Sequence, residues 1–500
     1  MAGVLLALLY ASAAFAFDFN AVAERAQQLA AHPYLPPPEI PQFMRDVGYD
    51  QYRGIRYQPR HKLWGNLDSH FQVSPVMPGG VYTHAVPINE VVGPNVRRVP
   101  FAKSHFSFHD KALQQRIPET LGYAGFELLY SFGRKSGHAK FLVFAGASYF
   151  RAIGKGGQWG LSVRGAAIDT GLPSGEEFPD FVEFWLVRPP PGATRMTVYA
   201  LLDSPRLTGA YEFVISPGSV TRMLVRAVLF TREPIEQLGI AALTSMYFYG
   251  ENTPRPLQAW RPEVHDSDGL LVYDDDSRRT WQPLLNPSMI TIQSFPGRTF
   301  ALMQRDTHFR SYQDAEANYH RRPSALVELE QGPAQGRILL VQLPSNNEFL
   351  DNIVAFWSPA GAVAGGTRLD VRYRLSLGAP TVAQPDLGQV VETFVGRDVI
   401  DATSNAGQHR FVVDFNGLRS APGRTPPSVT AEVTSEQGTQ VLEHHLKRVD
   451  SSGLWRLSIL AQGQTDKPLV LRASLHVNGR PATETWSYQL DPNNVLRQNE

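Results

Sequence analysis

The chain has no cysteine among its 500 residues. That absence removes disulfide frameworks, thiolate metal sites and thiol nucleophiles together. It also has no excess charge of either sign. The 47 Lys plus Arg stand against 47 Asp plus Glu, so no global field draws it to nucleic acid or an anionic membrane. Past the first residues no stretch approaches the ~20 continuous apolar residues that a membrane helix needs. Familiar catalytic signatures are missing as well: there is no Gly-x-Ser-x-Gly elbow and no His-Glu-x-x-His helix. Gly154-Lys155-Gly156-Gly157 lacks the Ser or Thr that follows the lysine of a phosphate loop. His444-His445 has no further ligand at metal spacing and reads as a solvated strand. Asp274-Asp275-Asp276 reads as a hairpin tip. No cofactor and no metal is expected.

What the chain does have is 41 Gly, 38 Pro, 27 Phe, 18 Tyr and 8 Trp. Turn-formers together with aromatics favour many short strands over long helices, and 43% apolar residues is too many for disorder. The first 16 residues are apolar and end in Ala14-Phe15-Ala16, a small-x-small pattern. They are expected to be a secretory signal cleaved after Ala16, although no Lys or Arg precedes the apolar run. A helix is predicted from Asn20 to His32, with Val22, Ala26, Leu29 and Ala30 at helical spacing. From about residue 51 the pattern is one of strands: Phe141–Ala145, Phe181–Arg188, Met223–Thr231, and a hairpin of Met196–Leu202 with Tyr211–Ile215. Gly378-Ala-Pro380 and Ala383-Gln-Pro385 mark a linker. Beyond it lies a second set of strands, Phe411–Phe415, Val429–Val433, Trp455–Leu460, Leu469–Val477 and Thr485–Tyr488. The expected fold is all-β: a large antiparallel sandwich over 17–380, a linker over 381–388, and a smaller immunoglobulin-like sandwich over 389–500.

Two acidic segments stand out. In Trp260-Arg-Pro-Glu-Val-His-Asp-Ser-Asp-Gly269, Asp266 and Asp268 would share one side of an extended segment. Same-side carboxylates repel, which raises one pKa toward that of a working acid or base. In Asn346-Asn-Glu-Phe-Leu-Asp-Asn-Ile-Val354, Glu348 and Asp351 lead into an apolar strand, where partial desolvation suits a general acid. Paired carboxyl groups are what cleavage of a glycosidic bond requires. The local sequence favours plain turn formation for the first segment, and helix or strand capping for the second.

Longer stretches carry a resemblance. They include Gly146-Ala-Ser-Tyr-Phe-Arg-Ala-Ile-Gly154, Gly160-Leu-Ser-Val-Arg-Gly-Ala-Ala-Ile-Asp169, Arg261-Pro-Glu-Val-His-Asp-Ser-Asp-Gly-Leu270, Asp351-Asn-Ile-Val-Ala-Phe-Trp357 and Glu484-Thr-Trp-Ser-Tyr-Gln-Leu490. With these the chain resembles the periplasmic glucans biosynthesis protein G/D family, which serves osmoregulated periplasmic glucan production. The resemblance implies a periplasmic protein of two β-sandwiches that works on β-1,2-glucan as an inverting endo-glucanase or a transglycosylase. It implies Asp351 as general acid, Asp266 as base or as the end of a water relay to it, and Asp268 more weakly, since the family pattern allows Asn there. Sugar rings present apolar faces to aromatics and hydroxyls to charged groups. The expected substrate contacts are therefore Tyr149, Arg151, Arg164, Asp169, Tyr249, Glu251, Trp260, Arg261 and Trp357. Core packing is the alternative for Trp357, and pairing with Glu176 or Glu177 for Arg151 and Arg164. The competing function is a non-catalytic glucan-binding partner that guides nascent chains from a membrane synthase to branching enzymes. Asn347 bears on it, because related sequences often carry another acid near that position.

Overall fold

The computed structural model describes residues 17–133, 137–383, 387–396, 407–418, 428–436, 438–450, 452–464 and 467–491. The expected signal over residues 1–16 lies outside these residues, as do 384–386 of the expected linker.

The chain is all-β, as anticipated. Its one long described helix, Phe19–Ala30, starts a residue before the predicted position because Asp18 caps it. The Asp18 carboxylate accepts the N–H groups of Asn20 and Ala21 at 2.9 and 3.2 Å. Phe19, Val22 and Ala26 form its buried stripe. They pack on Trp185, Tyr199, Leu201 and Phe230, on the outside of the larger sheet.

Two large sheets carry the fold. One has ten strands and includes, side by side, His138–Ala145, Tyr149–Ala152, Ser162–Arg164, Leu238–Ser245, Ile353–Pro359 and Gly336–Gln342. The other has fifteen, among them Asp180–Val187, Met196–Asp203, Leu207–Ser216, Val220–Thr231 and Arg368–Gly378. The predicted hairpin is present with Met196 opposite Ile215. Period-two alternation sends one side of each strand inward. Phe144 and Phe150 of the first sheet meet Phe184 and Phe213 of the second, with Phe144 5.1 Å from Phe213 ring to ring. Gly154, in the phosphate-loop lookalike, has a packing reason to be glycine, since a Cβ there would lie 2.0 Å from the Ser219 carbonyl oxygen. The Asp274 carboxylate closes the acidic hairpin tip by accepting the N–H groups of Asp276 and Arg278.

The strands beyond the linker are not hung loosely on this body. Val390–Gly396, Gln408–Phe415, Leu454–Gln462 and Gln440–Val449 form a four-stranded sheet. Val429–Glu436, Leu469–Val477 and Thr485–Leu490 instead extend the fifteen-stranded sheet, because Thr485–Leu490 pairs in parallel with Arg279–Pro283. One core runs through this junction, from Trp281 and Met303 to Phe411, Trp486 and Tyr488. Across it the Arg305 guanidinium donates to both oxygens of Glu484, at 2.5 and 3.0 Å, and to the Val390 carbonyl at 3.0 Å. It also lies 3.6 Å above the Trp281 ring.

Removing one partner of a buried ion pair leaves the other charge uncompensated. Glu484→Ala is therefore expected to lower unfolding stability by about 3–5 kcal/mol, which a denaturant titration would measure.

Candidate active site

The site is built on the outer face of the ten-stranded sheet. Phe150, Val163, Leu243, Ala355 and Trp357 point into the main core. Their neighbours in sequence point outward, so Tyr149, Arg151, Arg164, Thr244 and Val354 share the other face. Tyr149 stands directly opposite Arg164, and Thr244 opposite Val354. The Arg164 guanidinium, 4% exposed, donates to Thr244 Oγ1 at 2.8 Å and pairs with Glu176. Its plane lies 5.0 Å from the Tyr149 ring and 5.2 Å from that of Phe178. Arg151 donates through Nε to Ser162 Oγ at 2.7 Å.

Asp351 enters just before the strand Ile353–Pro359. It has neither a hydrogen bond nor an ion pair with any described residue. Burial pushes its carboxyl up, while the charges of Arg151, Arg164 and Arg322 pull it down only in part. Asp266 arrives from the other side, after the short strand Val264–His265. Its N–H donates to the Met246 carbonyl at 2.8 Å, and its Oδ1 accepts Arg322 Nη1 at 2.5 Å. Burial drives the Asp266 carboxyl up to about 6, Arg322 opposes this, and the Asp351 charge adds to it. The two carboxyl groups therefore sense each other although they come from segments 85 positions apart.

Asn352 ties these segments together. Its side-chain oxygen accepts the Tyr247 N–H at 2.8 Å, and its side-chain nitrogen donates to the Tyr247 carbonyl at 2.9 Å. Tyr247 in turn pairs with His265, the residue before Asp266. Glu348 takes a different part from Asp351. Arg261 grips it at 2.6 and 3.0 Å and the Tyr319 hydroxyl donates to it at 2.7 Å. The Arg261 hydrogen bonds hold its carboxyl below the usual range, which makes it an ionised anchor.

The other expected residues are placed as follows. Trp260 is 64% exposed on the rim, with the Arg261 guanidinium 5.7 Å from its ring. Trp357, 1% exposed, lies on the inward-facing side of its strand inside the main core and has no face for a sugar. Asp169 is consumed by Arg206 at 2.5 Å and the Gln237 N–H at 2.9 Å. Tyr249 is buried among Met246, Val264, Tyr312 and Tyr319. Asp268 has other partners than Asp266, and the segment between them bends rather than staying extended. Its Oδ2 accepts the N–H groups of Arg305 and Asp306 at 2.5 and 2.8 Å. Arg322, Tyr319 and Asn352 were not anticipated. Arg322 and Tyr319 lie in Tyr319-His-Arg-Arg-Pro323, which reads locally as a solvated basic loop.

Glu251 belongs to a separate cluster with Glu263 and buried His265, whose ligand-type atoms lie within 4.8 Å of one another. Gln304 Nε2 donates to the His265 and Tyr319 carbonyls, so its Oε1 must face His265 Nδ1 at 3.0 Å. Nδ1 therefore carries a proton, and Nε2 faces Glu263 at 2.9 Å. Burial opposes the imidazolium, but Glu263, Asp268 and Glu251 carry His265 up to about 9. Burial and Glu263 push Glu251 up to about 8. In this protonation state the group shares protons, and with Nδ1 held by Gln304 its Nε2 and the two carboxylates are also spaced to ligate a cation.

The fold and site define an all-β protein with a pair of desolvated carboxyls on one sheet face, and comparison with known proteins shows its family. Residues 17–490 match the family described as periplasmic glucan biosynthesis protein, MdoG. The chain is 41% identical to the glucans biosynthesis protein G of Ralstonia nicotianae (strain ATCC BAA-1114 / GMI1000), an alignment that covers 98% of this chain and 99% of that one. The chain belongs to the periplasmic glucan biosynthesis protein family. No described helix is long and apolar enough to cross a membrane.

Because Asp266 is harder to ionise folded than unfolded, its contribution has a defined sign. Below its ordinary value of 3.8 both states hold the proton. As pH rises from there to about 6 the unfolded chain ionises first, so folded-state stability falls across that window and stays lower above it. Asp266→Asn removes this pH dependence but leaves the Arg322 charge without its partner. The variant is expected to melt below wild type at pH 4, with the gap narrowing as pH rises to 7, as paired thermal melts would show.

Proposed function

We propose that this chain acts in the periplasm on β-1,2-glucan, cutting or transferring the chain with inversion at the anomeric carbon. Asp351 serves as general acid and Asp266 as the base. The observation that supports this most is the unequal partnering of two carboxyls that burial raises alike: Asp351 has no hydrogen bond or ion pair with a described residue, whereas Asp266 is held against Arg322. An unpartnered, desolvated carboxyl holds its proton for the leaving oxygen, and the guanidinium favours the ionised form of its partner, which above about pH 6 can accept a proton. Asp351 gives its proton to the glycosidic oxygen as the C1–O bond breaks. Water, or a sugar hydroxyl in the transfer reaction, attacks C1 from the opposite face and passes its proton toward Asp266. Tyr149 and Trp260 supply ring faces to the sugars, and Arg151 supplies hydrogen bonds.

One observation favours the alternative of a non-catalytic glucan guide serving the synthase and branching enzymes. Asp266 is only 4% exposed, so an attacking water reaches it only through a relay. Without one, the groove binds and does not cut.

Incubation with linear β-1,2-glucan separates the readings. Shortened or cyclised chains support catalysis, and unchanged chains with measurable binding support the guide. For the enzyme, Asp351→Asn is expected to lower turnover by about 10²–10⁴-fold with binding unaltered. Retained turnover in a folded Asp351→Asn protein removes Asp351 from the acid role.

A further inference from the structure

A cavity of about 240 Å³ lies between the segment around Tyr82 and His84 and the start of the strand Asp180–Val187. Its wall also includes Gly146, Ala147 and Phe178. The backbone here is unusual. Ala147 sits at φ 41°, in the left-handed region that a non-glycine residue rarely adopts. Gly146 lets the Tyr82 ring lie against the backbone, since a Cβ there would be 3.1 Å from that ring. The two residues turn the chain directly ahead of Tyr149. Phe178 is 49% exposed, and the Arg164 guanidinium that covers Tyr149 covers it too. Phe178 thus links the cavity, through Arg164, to Tyr149.

The acidic residue of the cavity is Asp180, and Thr83 and His84, whose Oγ1 and Nδ1 lie 2.9 Å apart, line it too. The Asp180 carboxylate has neither a hydrogen bond nor an ion pair with any described residue. Burial raises its pKa, the His84 charge counteracts this, and Asp203 adds to it. The cations nearby are engaged elsewhere: Arg164 with Glu176, Arg206 with Asp169 and Glu177, and Arg232 with Asp203. A partly desolvated acceptor with no protein donor is completed by a ligand that brings O–H groups. The Tyr82 and Phe178 rings beside it suit the C–H faces of a pyranose. An anionic ligand would meet a carboxylate that no ion pair neutralises and be repelled.

We propose that this cavity is a distal glucosyl subsite of the same groove, accepting one neutral, unsubstituted sugar ring through Asp180, Tyr82 and Phe178 and rejecting a ring that carries an anionic substituent. The inference rests on the glucan reading above and adds to it a selection between plain and charge-modified chain.

The test is calorimetric binding of neutral linear β-1,2-glucan oligosaccharides of increasing length to the full chain, in an Asp351→Asn background so that none is cut. Affinity is expected to step upward at the length that reaches the cavity. Asp180→Ala is expected to remove that step, a loss of about tenfold, while shorter chains bind as before. A carboxymethylated chain of the longer length should bind more weakly than the neutral one in the parent protein, and Asp180→Ala should narrow that gap. Phe178→Ala gives a second reading of the step if Asp180→Ala does not fold. A folded Asp180→Ala protein that binds every length, neutral and anionic, as the parent does overturns the subsite and leaves the glucan reading standing. A parent protein that binds no glucan of any length overturns both.

Discussion

The ion pair between Arg322 and Asp266 is the contact on which the candidate site depends. A carboxylate 4% exposed must be compensated or give up its charge, and Arg322 supplies that compensation at 2.5 Å. Arg322 also lies 4.4 Å from the Tyr319 ring, and Tyr319 donates its hydroxyl to Glu348, which Arg261 grips from the far side. Three loops that follow no strand order are thereby held as one piece over the sheet. If that compensation were lost, Asp266 would take up a proton, and the pair of carboxyls would lose the difference that separates an acid from a base.

The sheets give this arrangement its precision. Tyr149, Arg151 and Arg164 are set by register on adjacent strands, and Asp351 by the entry to a third. The Asn352 amide then fixes how near the Asp351 segment sits to the one bearing Asp266, through both backbone groups of Tyr247. On the other side of Asp266, Asp268 holds the Arg305 and Asp306 amides, and Arg305 continues to Glu484 beyond the linker. The smaller sandwich is therefore joined to the loop that carries the candidate base by an unbroken run of buried polar contacts.

Most of the strands were legible because alternation and turn residues are local signals. The Met196–Leu202 hairpin and the strand from Leu469 to Val477 needed nothing beyond their own sequence. The parallel pairing of Thr485–Leu490 with Arg279–Pro283 was not legible, since no local pattern reports which distant edge a strand will join. The same limit acted at the site. Asp351 and Asp266 were visible as acids in unusual settings, but Arg322 looked like any basic loop residue until the fold brought it to Asp266. Trp357 shows the converse. Both faces of its sheet are covered, so an apolar strand cannot say which of its aromatics meets the core and which the groove. For Asp266 and Asp268 the spacing argument assumed an extended backbone, whereas the segment bends and the two carboxylates have different partners.

In the proposed reaction Asp266 and Asp351 act from opposite sides of one sugar linkage, and a structure of the Asp351→Asn protein with bound β-1,2-glucan tests that most directly. The prediction is a single glycosidic oxygen beside residue 351, with the Asp266 carboxylate beyond the opposite face of the ring. The two side chains should stand about 6.5–9.5 Å apart, with ordered water between Asp266 and the anomeric carbon. A glucan chain that runs past both residues without placing a linkage between them, or that lies on another face of the molecule, would contradict it.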